Sequence, residues 1–326
     1  DTVAGNFDGI SYAKGASVLQ QLVAHVGRDN FISGLQKYFA KHTFKNTTLK
    51  DLLDELSMAS GKQLSDWVKT WLQTAGVNTM RAEMEIVGDT YKSITVIQEV
   101  PTMPKDSTQL RPHRMAVGLY DLVGEKITLR KSVQLDVSGS KTLVADLAGE
   151  KIADLLLLND QDLTYTKIRF DERSINTLKN HLGKISDSLT RALCWSAAWD
   201  MLRDGELSAT DFIDIALAGI ASEQEITTLT IIAGQLATAV ELYSNPKKRD
   251  SARLKVGNAF EQMITTAASG SDHQLQFVKS FTAFASSAEH NDLLKDFLAG
   301  KLSGLKVDPE MRWSLVIALT ERGLMD

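Results

Sequence analysis

The sequence predicts an α+β multidomain chain: a helical segment, then a small antiparallel β-sandwich, then a C-terminal α-helical superhelix of HEAT-like solenoid type. Three observations predict it. Up to about Gly76, apolar residues recur at steps of three and four, the period of a helix with one buried face. From Val77 to Asp171 the texture changes to short alternating runs broken by turn-forming pairs. From Glu172 to Asp326 the helical period returns, with only two prolines, Pro246 and Pro309. The expected domains are therefore 1–76, 77–171 and 172–326.

Within the first segment, Val18, Leu19, Leu22, Val23 and Val26 share one helix face, and Gly27 is the expected stop. RDNFISGLQKYFAKH repeats the pattern with Phe31, Leu35, Tyr38 and Phe39. Threonines before Leu49, Leu52, Leu53 and Leu56 signal a third helix start. Ser65 is the expected cap of DWVKTWLQTAG, whose Trp67, Val68, Trp71 and Leu72 make an aromatic-rich face suited to core packing.

The second segment contains AEMEIVGD, SITVIQEV, RMAVGLYDLVGEKITLRKSVQLDV and YTKIRF, all β-rich, with turns expected at Gly88-Asp89, Gly124-Glu125 and Ser138-Gly139. Pro101, Pro104 and Pro112 fall in one connection. This spacing of short strands suggests the sandwich. DLLLLND, at Asp154–Asp160, is continuously apolar at its centre, so its strand should be buried on both faces. In the third segment, SLTRALCWSAAWDMLRDG, SATDFIDIALAGIA, TTLTIIAGQLATAVELYS, LQFVKSFTAFASSA and DPEMRWSLVIALTERG read as amphipathic helices. Trp195 with Trp199, and Trp313, occupy comparable first-helix positions of helical pairs, and paired helices stack most simply as a degenerate solenoid.

Bulk properties exclude several classes. Of 326 residues 43% are hydrophobic and 24% charged, so a folded rather than disordered chain is expected. A net charge of −5 offers no basic surface for a nucleic-acid partner, and NPKKRD reads as a solvated turn between helices. One cysteine, Cys194, rules out an intrachain disulfide and a cysteine-built zinc site; it reads as a small buried side chain and fits a cytoplasmic protein. No apolar run approaches the ~20 residues of a membrane span, so no membrane partner is expected. DTVAGNFDGI is neither a signal nor a transit peptide and lacks an initiator methionine, so the chain reads as a piece of a longer protein.

Chemistry is confined to one place. There is no H-E-x-x-H, and the six histidines never pair at helical spacing. No G-x-S-x-G elbow and no glycine-rich phosphate loop occur. That leaves FDGISYAKGASVLQQL, Phe7 to Leu22, where Tyr12 stands at the mouth of the first helix. A phenol there can donate a hydrogen bond to an oxygen that turns negative during reaction. Gly9 and Gly15 would permit close backbone approach, and Lys14 adds a positive charge. The same tyrosine can equally anchor the helix start through its hydroxyl, and spacing alone does not choose.

FDGISYAKGASVLQQL resembles the tyrosine segment of the gluzincin zinc aminopeptidases, the aminopeptidase N family. FISGLQKYFAKHTFKNTTLKDLLDEL and DWVKTWLQTAGVNTM are similar to the family's following helices, although Val77-Asn78 stands where many relatives have a proline. LLLLNDQDLTYTKIRFDE is similar to the asparagine-containing strand that closes the family's β-sandwich, and DSLTRALCWSAAWDML and LRPHRMAVGLYD most resemble the actinobacterial branch. The resemblance runs over essentially the whole chain.

It implies that 1–76 is the helical C-terminal part of a thermolysin-like catalytic domain, 77–171 its β-sandwich and 172–326 a chamber-forming helical cap. In the family, H-E-x-x-H and a later glutamate bind zinc, and G-x-M-E-N holds the substrate's amine. None occurs here, so the resemblance places zinc and its ligands upstream of this chain, expects none bound to it, and makes the segment alone inactive. It gives Tyr12 the oxyanion-stabilising role, catalytic, and Phe7 a substrate-binding place in the pocket for the first side chain; peptides are the implied partners. Arg191, Arg203 and Arg312 suit a peptide carboxylate by type only and are read as salt-bridge residues. The residues by themselves also allow a non-catalytic helical-repeat interaction module with a β-sandwich.

Overall fold

A computed structural model of the chain describes residues 10–325, of which 10 and 11 by backbone alone. Two compact units emerge, Asp1–Val123 with Thr128–Ser174, and Gly124–Ile127 with Ile175–Asp326. Among the described residues the chain forms twelve α-helices and seven strands in two sheets.

In the first unit a π-helical turn, Ile10–Lys14, passes straight into α1, Gly15–Val26. Val18, Leu22 and Val26, four residues apart, are its buried apolar positions. Gly27 ends it at φ 88°, a backbone angle that costs glycine nothing, and donates its N–H to the Val23 carbonyl. α2, Arg28–Lys41, and α3, Leu49–Ser60, meet at Gly34, where a Cβ would stand 2.8 Å from Leu56 Cδ2 and 3.2 Å from the Glu55 carbonyl. That close approach corrects the expected aromatic face of α2. The helix buries only Gly34, Phe31 and Tyr38 are half-buried, and Phe39 is exposed.

Thr48 and Asp51 close a capping box on α3, the start its threonines signalled. α4, Ser65–Leu72, begins at the expected cap itself: Ser65 is the first helical residue, Leu64 holds the N-cap position and no side chain caps it. Trp67 and Trp71 complete a core with Val18, Leu22, Val26, Leu56 and Leu64.

The strands are β1, Thr79–Val87; β2, Thr90–Glu99; β3, His113–Val123; β4, Lys126–Val137; β5, Lys141–Leu143; β6, Leu155–Asp160; and β7, Lys167–Arg169. One sheet has the order β5-β2-β1-β7 and the other β4-β3-β6. The three expected turns carry left-handed glycines, Gly88, Gly124 and Gly139, at φ 63°, 59° and 67°. All six residues of β6 are buried, as its unbroken apolar run requires. The four-stranded sheet is not purely antiparallel, because β7 runs parallel to β1. β7 reaches that edge from β6 in the other sheet, so no hairpin forces it to reverse.

The helices after the strands are α5, Glu172–His181, whose first turn belongs to the first unit, and, in the second unit, α6, Ser188–Arg203; α7, Ala209–Ile220; α8, Ile226–Thr238; α9, Arg249–Thr266; α10, Asp272–Phe284; α11, Ala288–Leu298; and α12, Pro309–Glu321. Asp187, Ser208, Ser271, Ser287 and Asp308 each accept a backbone N–H at a helix start. α6 packs on α7, α10 packs on α9, α8 and α12, and α11 packs on α12. Cys194 is fully buried. Trp195 is buried but Trp313 is 68% exposed, so the two do not play equivalent parts.

The expectation about long apolar runs also needs correction. α8 continues into a π turn, Ala239–Tyr243, giving an 18-residue apolar helical stretch from Ile226. Its face of Leu229, Ile232, Ala233, Leu236, Ala239 and Val240 is buried.

α7 reaches Leu182 and Trp195 through Gly219, where an added Cβ would lie 2.2 Å from Leu182 Cδ2 and 2.7 Å from Trp195 Cζ2. Both neighbours are buried and cannot swing clear. Gly219→Ala is expected to destabilise the protein by about 1–3 kcal/mol through overpacking. Thermal denaturation checks this, and an unchanged midpoint would mean that α7 can shift.

Candidate active-site segment

Tyr12 lies on the π turn that precedes α1, and 65% of its surface is open. Lys14, with φ −64° and ψ −40°, keeps the turn continuous with the helix, so the direction of α1 sets the placing of Tyr12. The N-terminal end of a helix is partially positive through its dipole, which favours developing negative charge beside it. Gly15 does not serve close packing: a Cβ there would meet nothing within 4 Å. Phe7 and Gly9 lie outside the described residues. The ammonium of Lys14 stands 5.8 Å from the centre of the Tyr165 ring.

Beneath this helix runs a buried polar network that the sequence did not announce. Gln21, 1% exposed, accepts hydrogen bonds on Oε1 from Thr164 Oγ1 at 2.6 Å and Tyr165 N at 3.0 Å. Thr164 Oγ1 also lies 2.7 Å from His113 Nδ1. The hydroxyl proton of Thr164 goes to Gln21, so His113 must donate from Nδ1. Burial, followed by the charge of Arg111, depresses the His113 pKa to about 3, so the ring is neutral, as that assignment requires.

Asn159 holds Thr164 from the other side. Its Nδ2 donates to the Thr164 carbonyl at 2.8 Å, and its Oδ1 accepts the Thr164 N–H at 3.1 Å. Asn159, Gln161 and Asp162 take φ values of 55°, 71° and 53°, a tight left-handed turn at the end of β6. An Asn-Asp-Gln-Asp run after four leucines was the one available sequence signal for it.

His113 meets Trp71 edge to face at 5.0 Å, and the Arg111 guanidinium lies 5.5 Å from the centre of the Trp71 ring. Arg111 is 2% exposed and donates to four neutral oxygens: the Thr70 and Ala75 carbonyls, Asn78 Oδ1 and Thr74 Oγ1. These bonds tie α4 and the segment after it to the chain entering β3.

Among the described residues no three His, Cys, Asp or Glu side chains come together in a way that could hold a metal ion. A zinc ion therefore has no fitting site in the described residues. Of the arginines considered by type, Arg191 is committed to a buried pair with Glu223, whereas Arg203 and Arg312 lie exposed.

Residues 1–71 match the peptidase family M1 domain, and residues 155–326, more than half of the chain, match the ERAP1-like C-terminal domain. The chain belongs to the family of the ERAP1-like C-terminal domain, and its first 71 residues are similar to the peptidase family M1 domain. Among its relatives, Aminopeptidase N of Streptomyces lividans is 44% identical over 330 residues, covering 99% of this chain and 38% of the relative. Tricorn protease-interacting factor F2 of Thermoplasma volcanium is 22% identical, covering 98% of this chain and 37% of that protein. The solved structure of Legionella pneumophila aminopeptidase A in complex with aspartic acid shares the fold, with TM-score 0.59 and 16% identity over 97% of this chain and 40% of that one. The chain thus spans about two-fifths of the length of these relatives.

Proposed function

We propose that this chain is part of a zinc metallo-aminopeptidase that removes N-terminal residues from peptides, and that Tyr12 supplies a hydrogen bond to the oxyanion formed at the attacked carbonyl. One observation carries the reading: 44% identity to an Aminopeptidase N across 99% of the chain, the Tyr12 segment included. The exposed phenol at a helix N-terminus supports the role, because it can reach a substrate oxygen that gains charge. Zinc belongs, in this reading, to parts of the enzyme outside this chain, and Phe7 contributes to the pocket for the first side chain.

The domain limits 1–76, 77–171 and 172–326 belong to the same reading, with two sheets forming a β-sandwich and the paired helices a HEAT-like superhelix. Fully buried β6 supports the sandwich, and the succession α6–α7, α9–α10, α11–α12 supports the superhelix. A cytoplasmic location accords with the single buried cysteine.

The full-length protein is expected to hydrolyse aminoacyl p-nitroanilides, to lose that activity to a chelator and to regain it with zinc. The 326-residue chain alone is expected to release no product. Activity indifferent to chelation, or no hydrolysis across a panel of aminoacyl groups, would overturn the reading in favour of an interaction module.

A further inference from the structure

We propose that Gln21, gripped by the Thr164–Tyr165 pair, is a positioning residue that holds α1 and thereby aims Tyr12; the inference rests on reading Tyr12 as the oxyanion donor. The reasoning starts from a cost. Gln21 is buried beside Val18, Leu22 and Val26, where an apolar side chain would pack without stranding an amide. Its Nε2 is buried with no hydrogen-bond partner among the described residues. The side chain is therefore kept for its oxygen, which accepts from Thr164 Oγ1 and from the Tyr165 N–H.

That pair is itself immobilised. Asn159 binds the N–H and carbonyl of Thr164, and His113 donates to its hydroxyl. From this fixed point the chain grips α1 twice: Thr164 and Tyr165 N hold Gln21, and the Tyr165 ring faces Lys14. Lys14 and Gln21 are seven residues apart, about two helical turns along the same face. Two attachments at that separation oppose both rotation and sliding of α1. Apolar contacts alone resist neither strongly, because they are non-directional. Lys14 is also the last residue of the π turn that carries Tyr12, so the grip acts on the turn itself.

The test uses the full-length enzyme and an aminoacyl chromogenic substrate. Gln21→Leu is expected to lower kcat by about ten- to a hundredfold with KM nearly unchanged, the signature of a misplaced group rather than lost binding. Gln21→Glu, which keeps an acceptor at the same reach and replaces the unpartnered nitrogen by a second oxygen that burial favours protonated, should retain more of kcat than Gln21→Leu. In a Tyr12→Phe background Gln21→Leu should cost nothing further, since its whole effect passes through the phenol.

Asn159→Gly is the companion variant should Gln21→Leu fail to fold. It removes the amide bonds to Thr164, suits φ 55°, and should lower kcat in the same non-additive way. Multiplicative effects of the substitutions with Tyr12→Phe, or an intact kcat in both Gln21→Leu and Asn159→Gly, would overturn the inference while leaving the Tyr12 role standing. An unchanged kcat in Tyr12→Phe alone would remove that role and the inference with it.

Discussion

Tyr12→Phe in the full-length enzyme is expected to lower kcat by about 10²–10³ with little change in KM. The size follows from what the phenol would do. A donor aimed at a developing oxyanion acts in the transition state and hardly at all on the ground-state carbonyl, so its loss appears in kcat. It corresponds to roughly 2.7–4 kcal/mol of transition-state stabilisation. Phenylalanine keeps the ring, and the side chain is largely exposed, so stability should barely change. Steady-state kinetics paired with a melting curve separates the outcomes. Loss of kcat at unchanged stability assigns the hydroxyl to the reaction, whereas unchanged kcat returns Tyr12 to a helix anchor.

The second large effect is expected at Glu223, which pairs with Arg191 at side-chain exposures of 1% and 8%. Arg191 also donates to the Ile185 and Ser186 carbonyls, and Glu223 accepts from the N–H groups of Gln224 and Glu225. Glu223→Ala would leave a buried guanidinium without its anion, at a cost of about 3–5 kcal/mol. Hydrogen exchange is the suitable measurement, because it reads the helices around the pair directly. Amide protection in α6 should fall by about two to three orders of magnitude. Protection unchanged in α6 would mean that water or another group replaces the carboxylate.

The same pair gives a pH dependence. Burial pushes the Glu223 carboxyl upward, but the Arg191 hydrogen bond, the two backbone N–H groups and the Arg191 charge outweigh it and hold the pKa below its ordinary value of 4.5. The folded state then binds fewer protons than the unfolded chain. The stabilisation is complete above pH 4.5 and is lost as pH falls through the lower, native value. Glu223→Gln should lack this share of the acid sensitivity.

Much of the fold was legible because the causes are local. A glycine in a tight turn, a threonine three residues before an aspartate, or four consecutive leucines each constrain their own few residues. The turns at Gly88, Gly124 and Gly139, the Thr48 cap and the buried strand β6 follow from such signals. The position of Tyr12 at a helix start was also legible, since the pattern lies in one short segment.

Other features depend on partners far along the chain. Phe39 was placed on a buried face by its spacing, but the approach of α3 at Gly34 decides which side of α2 is covered. The parallel pairing of β7 with β1 joins strands some ninety residues apart. Gln21 meets Thr164 across 143 residues; the helical period puts Gln21 on the face of Val18 and Leu22 and Gln20 on the exposed side, but it does not say which partners a buried amide there will meet.

By itself, then, the sequence determined the order of helical and β-rich segments and the turns and caps between them. Tertiary structure alone decided which partners the buried polar side chains meet. The reason is physical: periodicity and capping reflect energies within a few residues of the chain, whereas the burial of an amide such as Gln21 is tolerable only once Thr164 and Tyr165 have been brought to it by the fold.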